Sequence, residues 1–179
     1  MTVSLVVEPL TRDAFAPYGR VVEPPARPED ASGPGWTWWA ETAFLAGDGR
    51  PWGIGYLNLR PAPLRFDWAE RHRRTLEAVF PTSRDVLVYV GPPDHPDEPE
   101  RIPPLETFRV FRVPPGAGVI MDRGVWHGAP LAPDGPTRAL VFILEGTGRH
   151  DVALVRFPET PVGIEKPSPT APRRPKTKE

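Results

Sequence analysis

Two short stretches of the chain hold histidines and carboxylates at spacings that can bring them to one point. The first, WAERHRRTLEAVFP at residues 68–81, offers Glu70, His72 and Glu77. In an extended segment side chains two apart line one face, so Glu70 and His72 project together. The second, PPGAGVIMDRGVWHG at residues 114–128, runs from a Pro/Gly turn through a strand to a second turn, Asp122-Arg123-Gly124, which delivers Trp126 and His127 onto the next strand. Alternation sends those two to opposite faces. If Trp126 packs on one, His127 points into the other compartment, and in a closed barrel one of the two compartments is the interior.

A lone inward histidine is more often hydrogen-bonded structure than a ligand or base. A convergent set is harder to explain by packing, and His127, Glu77 and His72 are the expected catalytic residues on that ground. Glu70, His72, Glu77 and His127 also form a mixed nitrogen and oxygen set suited to a divalent metal such as Zn, Ni, Mn or Fe. The chain has no cysteine, which removes thiolate nucleophiles, disulfides, zinc fingers and iron–sulfur clusters. His95, in PPDHPDEPE, and His150, after a Gly-rich turn, are expected to face solvent. The pairs Glu70-Arg71 and Asp122-Arg123 also read as surface ion pairs, worth less than about 1 kcal/mol each, and Asp122 as a turn cap.

The elements that must position these residues are strands. β-Branched or aromatic runs recur at 52–59, 75–80, 86–90, 107–113, 139–144 and 152–157, divided by turn residues. Ser4 to Val7 reads as a first strand, Thr11 as the N-cap of the one short helix, ending at Phe15, and Val21-Val22 as a strand stub. Residues 24–35 read as a loop leading to Trp36, Trp38 and Trp39, an aromatic group expected in the core or on a dimer surface. The 27 prolines must sit at turns, strand starts and edges, as in a fold of many short strands. The spacing predicts an all-β sandwich or closed barrel with a short N-terminal helix.

The 179 residues, 39% hydrophobic, suffice for one core. The expected division is a single catalytic domain at residues 1–157 and a Pro/basic-rich, disordered tail at 158–179. Lys+Arg 22 against Asp+Glu 23 leaves no global field to recruit nucleic acid or an anionic membrane. With no leader-like N-terminus and no spanning apolar run, the expected location is the cytoplasm. The expected partner is a small-molecule substrate.

The two stretches resemble the cupin motifs, and in the right order. The second cupin motif ends in proline-any-glycine, two residues and histidine; residues 122–127 keep Gly124 and His127, with Asp122 where proline is usual. The first is histidine-any-histidine, three or four residues, glutamate, six residues and glycine; Glu70, His72, Glu77 and Arg84 fit its spacing with two substitutions. The Glu-Arg-His triplet 70–72, Glu77 to Pro81, Gly118-Val119-x5-Val125-Trp126-His127, the opening Leu10-Thr11-x2-Ala14-Phe15-x2-Tyr18-Gly19 and Asn58-Leu59-Arg60 resemble the ureidoglycolate lyase family. Members commonly carry Gln where this chain has Glu77.

The resemblance implies a cupin-type double-stranded β-helix (jelly-roll barrel), a homodimer, no organic cofactor, and cleavage of ureidoglycolate to glyoxylate and urea in allantoin and purine catabolism. Such an enzyme is a carbon–nitrogen lyase of the amidine-lyase type. Cleavage needs a base for the substrate hydroxyl and an acid for the leaving nitrogen. His127 or Glu77 is expected to take the hydroxyl proton and His72 to hold the site or a metal. Arg60 or Arg123, beside Asp122, is expected to pair with the substrate carboxylate in a bidentate fork. The alternative is a cupin that acts on, or only binds, another small hydroxy acid, keto acid or sugar.

Overall fold

The computed structural model describes residues 3–166, and these are nearly all strand and turn. Strand β1 (Ser4–Pro9) leads to a one-turn helix, α1 (Arg12–Phe15), where Thr11 is the expected N-cap and its hydroxyl accepts from the Ala14 amide at 3.1 Å. Strand β2 (Gly19–Val22) and a small hairpin of β3 (Ala31–Gly33) and β4 (Trp36–Trp38) follow. The body of the chain begins with β5 (Trp52–Leu59), β6 (Arg65–Phe66), β7 (Trp68–Arg71), β8 (Glu77–Pro81) and β9 (Val86–Gly91). It continues through β10 (Arg109–Val113), β11 (Gly118–Met121), β12 (Trp126–His127) and β13 (Thr137–Leu144). A second one-turn helix, α2 (Thr147–His150), precedes β14 (Ala153–Arg156) and β15 (Val162–Glu165).

Two curled sheets face each other, as expected for a cupin jelly roll. One has the order β14-β7-β12-β9-β10-β1-β15-β6 and the other β2-β11-β8-β13-β5. Strand β9 shows how the sequence builds both layers. Its run VLVYV is buried at every position, with Val86, Val88 and Val90 in the core between the sheets and Leu87 and Tyr89 in a second core on the large sheet's other side. A strand covered on both faces can be apolar throughout. Strand β12 lies beside it with Trp126 opposite Gly91 and His127 opposite Val90, so Trp126 joins the second core and His127 shares Val90's inward face.

Several expectations are corrected. The run expected to be extended from Thr75 starts as strand only at Glu77, because the amides of residues 73–75 turn to bond the Asp151 carboxylate. The run from Thr107 opens with a 3-10 turn at Leu105–Thr107, in which the Thr107 hydroxyl donates to the Pro104 carbonyl. Helix α2 was not expected; it is preceded by Gly146 as N-cap, whose φ of +79° suits glycine. The 24–35 loop contains β3, and Trp36 and Trp38 are 52% and 59% exposed, because their hairpin pairs only with itself.

The tail boundary also moves. Beyond Pro158, β15 runs parallel to β1 and buries Val162 and Ile164 in the second core. The rest of the expected tail, 167–179, lies outside the described residues.

Candidate active site

The two stretches meet inside the barrel near one of its ends. Glu70, on β7, stands directly opposite His127, on β12, in antiparallel register, which puts their side chains on one face. His72 follows the end of β7, and its imidazole lies 5.1 Å from that of His127 between ring centres. Glu77 opens β8 in the facing sheet, so both layers contribute. Its Oε2 sits 3.2 Å from His72 Nε2 and 3.7 Å from His127 Nε2. One ligand atom from each of Glu70, His72 and His127 falls within 4.8 Å of the others.

The backbone decides which nitrogen each histidine offers. His72 Nδ1 is 2.7 Å from the Asp151 carbonyl and His127 Nδ1 is 2.9 Å from the Val125 carbonyl. A carbonyl only accepts, so both Nδ1 atoms carry hydrogen and both Nε2 atoms are left to hold either a proton or a metal. Both imidazoles are buried, and His127 Nε2 has no hydrogen-bond partner among the described residues. Two inward lone pairs beside partly buried carboxylates repel unless a positive charge lies among them. The donor set therefore fits a divalent cation, with imidazole and carboxylate ligands of the kind Zn, Ni, Mn and Fe accept.

Two members of the cluster also act on one another. Burial opposes charge on Glu77, but the His127 and His72 imidazoles facing it win and hold its carboxyl at about 2. Burial likewise opposes charge on His127, and the Glu77 carboxylate, with the Val125 carbonyl and Glu70, outweighs it and raises the imidazole above its ordinary value. Glu77 and His127 each favour the charged form of the other.

A cavity of about 330 Å³ opens onto Glu70 and Glu77, walled by Tyr56, Trp68, Gly128 and Val141. That is the size of a small-molecule site. The Tyr89 hydroxyl donates to the Trp68 carbonyl at 3.0 Å and fixes that wall, and burial raises its pKa so that it keeps its proton. No side chain is possible at residue 128, where a Cβ would sit 1.7 Å from the Tyr89 oxygen.

The expected substrate-binding residues do not join this cluster. Glu77 is level with Ile143 and Gly53 across the sheet, and Arg60 lies seven residues beyond Gly53, roughly 20 Å along the strand direction. It borders a separate cavity with Arg84 and Arg138. Arg123 faces a third cavity, of about 550 Å³, behind His72, among Arg71, Arg73, Arg74 and Asp151. Asp122 is exposed and bonds Arg20 at 3.3 Å, and its turn is closed by the backbone, Val125 amide to Asp122 carbonyl at 3.2 Å. Arg71 pairs with no acid: its buried guanidinium donates to the carbonyls of Asp94, His95, Glu98 and Pro99 and lies over the Trp126 ring.

Asp151 was missed. It is only 8% exposed, and its carboxylate takes the amides of Arg73, Arg74 and Thr75 and the Thr75 hydroxyl. Asp just past the Gly-rich turn EGTGRH carried no signal for this, because its partners lie some 77 residues earlier in the chain.

The family model for ureidoglycolate lyase matches residues 2–165. The ureidoglycolate lyase of Rhodobacter capsulatus is 33% identical over 82% of this chain and 89% of its own length. That of Azotobacter vinelandii is 32% identical over 80% and 87%, and that of Chelativorans sp. 28% identical over 87% and 93%. With a barrel, an inward His/Glu cluster and a match along nearly its whole length, the chain belongs to the ureidoglycolate lyase family.

Proposed function

We propose that the chain is a ureidoglycolate lyase, splitting ureidoglycolate into glyoxylate and urea. It would then be a carbon–nitrogen lyase of the amidine-lyase type, working in allantoin and purine breakdown. The observation that carries the reading is the convergence of His72 Nε2, His127 Nε2 and Glu77 Oε2 beside a small cavity, in a chain whose relatives bear that name.

The substrate carbon bears a hydroxyl, a carboxylate and a urea nitrogen. The Glu77 carboxylate takes the hydroxyl proton as the carbon–nitrogen bond breaks and the glyoxylate C=O forms, and the departing urea nitrogen gains a proton. Glu77, ionised and facing the cavity, supplies the base. The same proton passes on to the nitrogen, so one carboxylate closes the balance. Among the described residues this cavity has no Lys or Arg in its wall, so a positive charge for the substrate carboxylate must come from the His/Glu cluster itself. Glu70, His72 and His127 are the residues that would hold a divalent metal, with Glu77 beside them. Such an ion supplies an electrophile for the substrate oxygens and lowers the hydroxyl pKa.

The deciding assay incubates purified protein with ureidoglycolate, with and without chelator, and follows glyoxylate. Release above the spontaneous rate is expected, and its loss with chelator identifies metal dependence. No release under any of the four metals overturns the reading. The family resemblance adds a cytoplasmic homodimer, for which sedimentation of the purified protein is the check. Among the described residues no helix is long and apolar enough to cross a membrane.

A further inference from the structure

The 72–75 turn and the end of α2 are tied together twice, each time with the turn donating and Asp151 accepting. The Asp151 carboxylate accepts from the amides of Arg73 at 3.0 Å, Arg74 at 2.9 Å and Thr75 at 3.0 Å, and from the Thr75 hydroxyl at 3.1 Å. The Asp151 carbonyl accepts from His72 Nδ1 at 2.7 Å. One residue thus holds the turn through its side chain and the imidazole on that turn through its backbone. The exposed Arg74 guanidinium adds only a 3.7 Å contact to the same carboxylate.

We propose that Asp151 is a positioning residue for the reaction: by locking its own carbonyl against the 72–75 turn it fixes the His72 tautomer and aims Nε2 at Glu77. This deepens the lyase reading and rests on it for His72's role. Any residue at 151 has a carbonyl, but only a carboxylate accepts from all four donors without turning a hydrogen of its own toward them. Asparagine would turn an NH2 group toward one of those amides, and alanine would leave four donors unpaired in a buried place. Either frees the carbonyl to drift, and the imidazole can then carry its proton on Nε2, where it faces the site. Groups that orient a ligating or reacting histidine through its other nitrogen work in this way.

The test uses the full chain and the variants Asp151→Asn and Asp151→Ala, with Thr147→Val as a packing comparison. The Thr147 side chain reaches this region through its hydroxyl, 3.3 Å from that of Thr75, while its carbonyl, which valine keeps, accepts from the Asp151 amide at 2.9 Å. A nitrogen–proton correlation spectrum of the imidazoles near pH 8, with His72 assigned from His72→Gln, reads the tautomer directly. The wild type is expected to show His72 protonated on Nδ1, the Asp151 variants a mixture of tautomers, and Thr147→Val the wild-type signal despite a lower Tm. In turnover, the Asp151 variants should lose about 10–100-fold in kcat, with KM changed by less than about 3-fold because the cavity wall is untouched.

A wild-type His72 protonated on Nε2 overturns the proposal. So does a folded Asp151→Asn with the wild-type tautomer and kcat, or a Thr147→Val that scrambles the tautomer as fully. Absence of lyase turnover in the wild type overturns the reaction assigned above and leaves the tautomer spectrum to decide on Asp151.

Discussion

At the scale of single residues, the charge state of the cluster follows from two facing groups with opposite displacements. Glu77 is held at about 2, below its ordinary carboxyl value, so it stabilises the fold above pH 4.5 and loses that contribution as pH falls toward 2. His127 is raised, so its contribution is full below about 6.5 and is lost as pH rises through the folded value. With chelator present, Tm should therefore decline from pH 6 to pH 9 in the wild type more than in His127→Gln. Equal slopes in thermal melts would show that the charge on His127 does not support the fold. Glu77→Gln separates charge from shape: it keeps an acceptor toward His72 while removing the proposed base. The expected loss in kcat is about 100-fold or more, the usual worth of general base catalysis. Wild-type turnover in that variant would move the base role to His127. The residue types in this cluster were legible because few kinds of side chain do this chemistry. The arginine assignments were not, since a guanidinium far along a strand and one at the site look alike in sequence.

At the scale of elements, alternation carried the reading furthest. Trp126 and His127 do divide between two compartments, and Glu70 and His72 do face one way. Alternation says nothing about what covers the outer face of β7, and there the expected Glu70-Arg71 ion pair gives way to Arg71 as an internal staple. Its guanidinium holds four carbonyls of the 94–99 loop and covers Trp126 at 4.6 Å from the ring centre. The loop is shaped to it: His95, which gives up its carbonyl here, has φ of +53°, rare for a residue with a Cβ. Arg71→Lys keeps the charge but cannot bridge four acceptors. At about 1–3 kcal/mol for each buried carbonyl left without a donor, two such losses predict destabilisation of about 2–6 kcal/mol, readable as a lower denaturant midpoint. A change below about 0.5 kcal/mol, the range of ordinary surface substitutions, would reduce Arg71 to a surface residue.

At the scale of the whole molecule, the sequence made the barrel legible through its repeated apolar runs, but it misplaced the barrel's end. Proline density from Pro158 onward reads as a tail, yet VGIE within it is a strand whose alternate residues, Val162 and Ile164, are buried. Four residues among prolines are too few to show a period; pairing with β1 and β6 is what makes them a strand. That pairing closes the fold, because β6 has no other strand partner and the first and last strands lie side by side and parallel. Two chains ending at different points weigh this contribution, one stopping after Phe157 and the other after Lys166. The shorter loses two buried aliphatic side chains, about 1.5–3 kcal/mol each, together with the backbone bonds from the Gly163 amide to the Val3 carbonyl and from the Ile164 amide to the Leu64 carbonyl. The shorter chain should thus be less stable than the longer by on the order of 3–6 kcal/mol, a large part of what holds a domain of this size folded. Chemical denaturation of the pair measures it. Coincident unfolding curves would return the boundary to Pro158 and make β15 an ornament on a barrel complete without it.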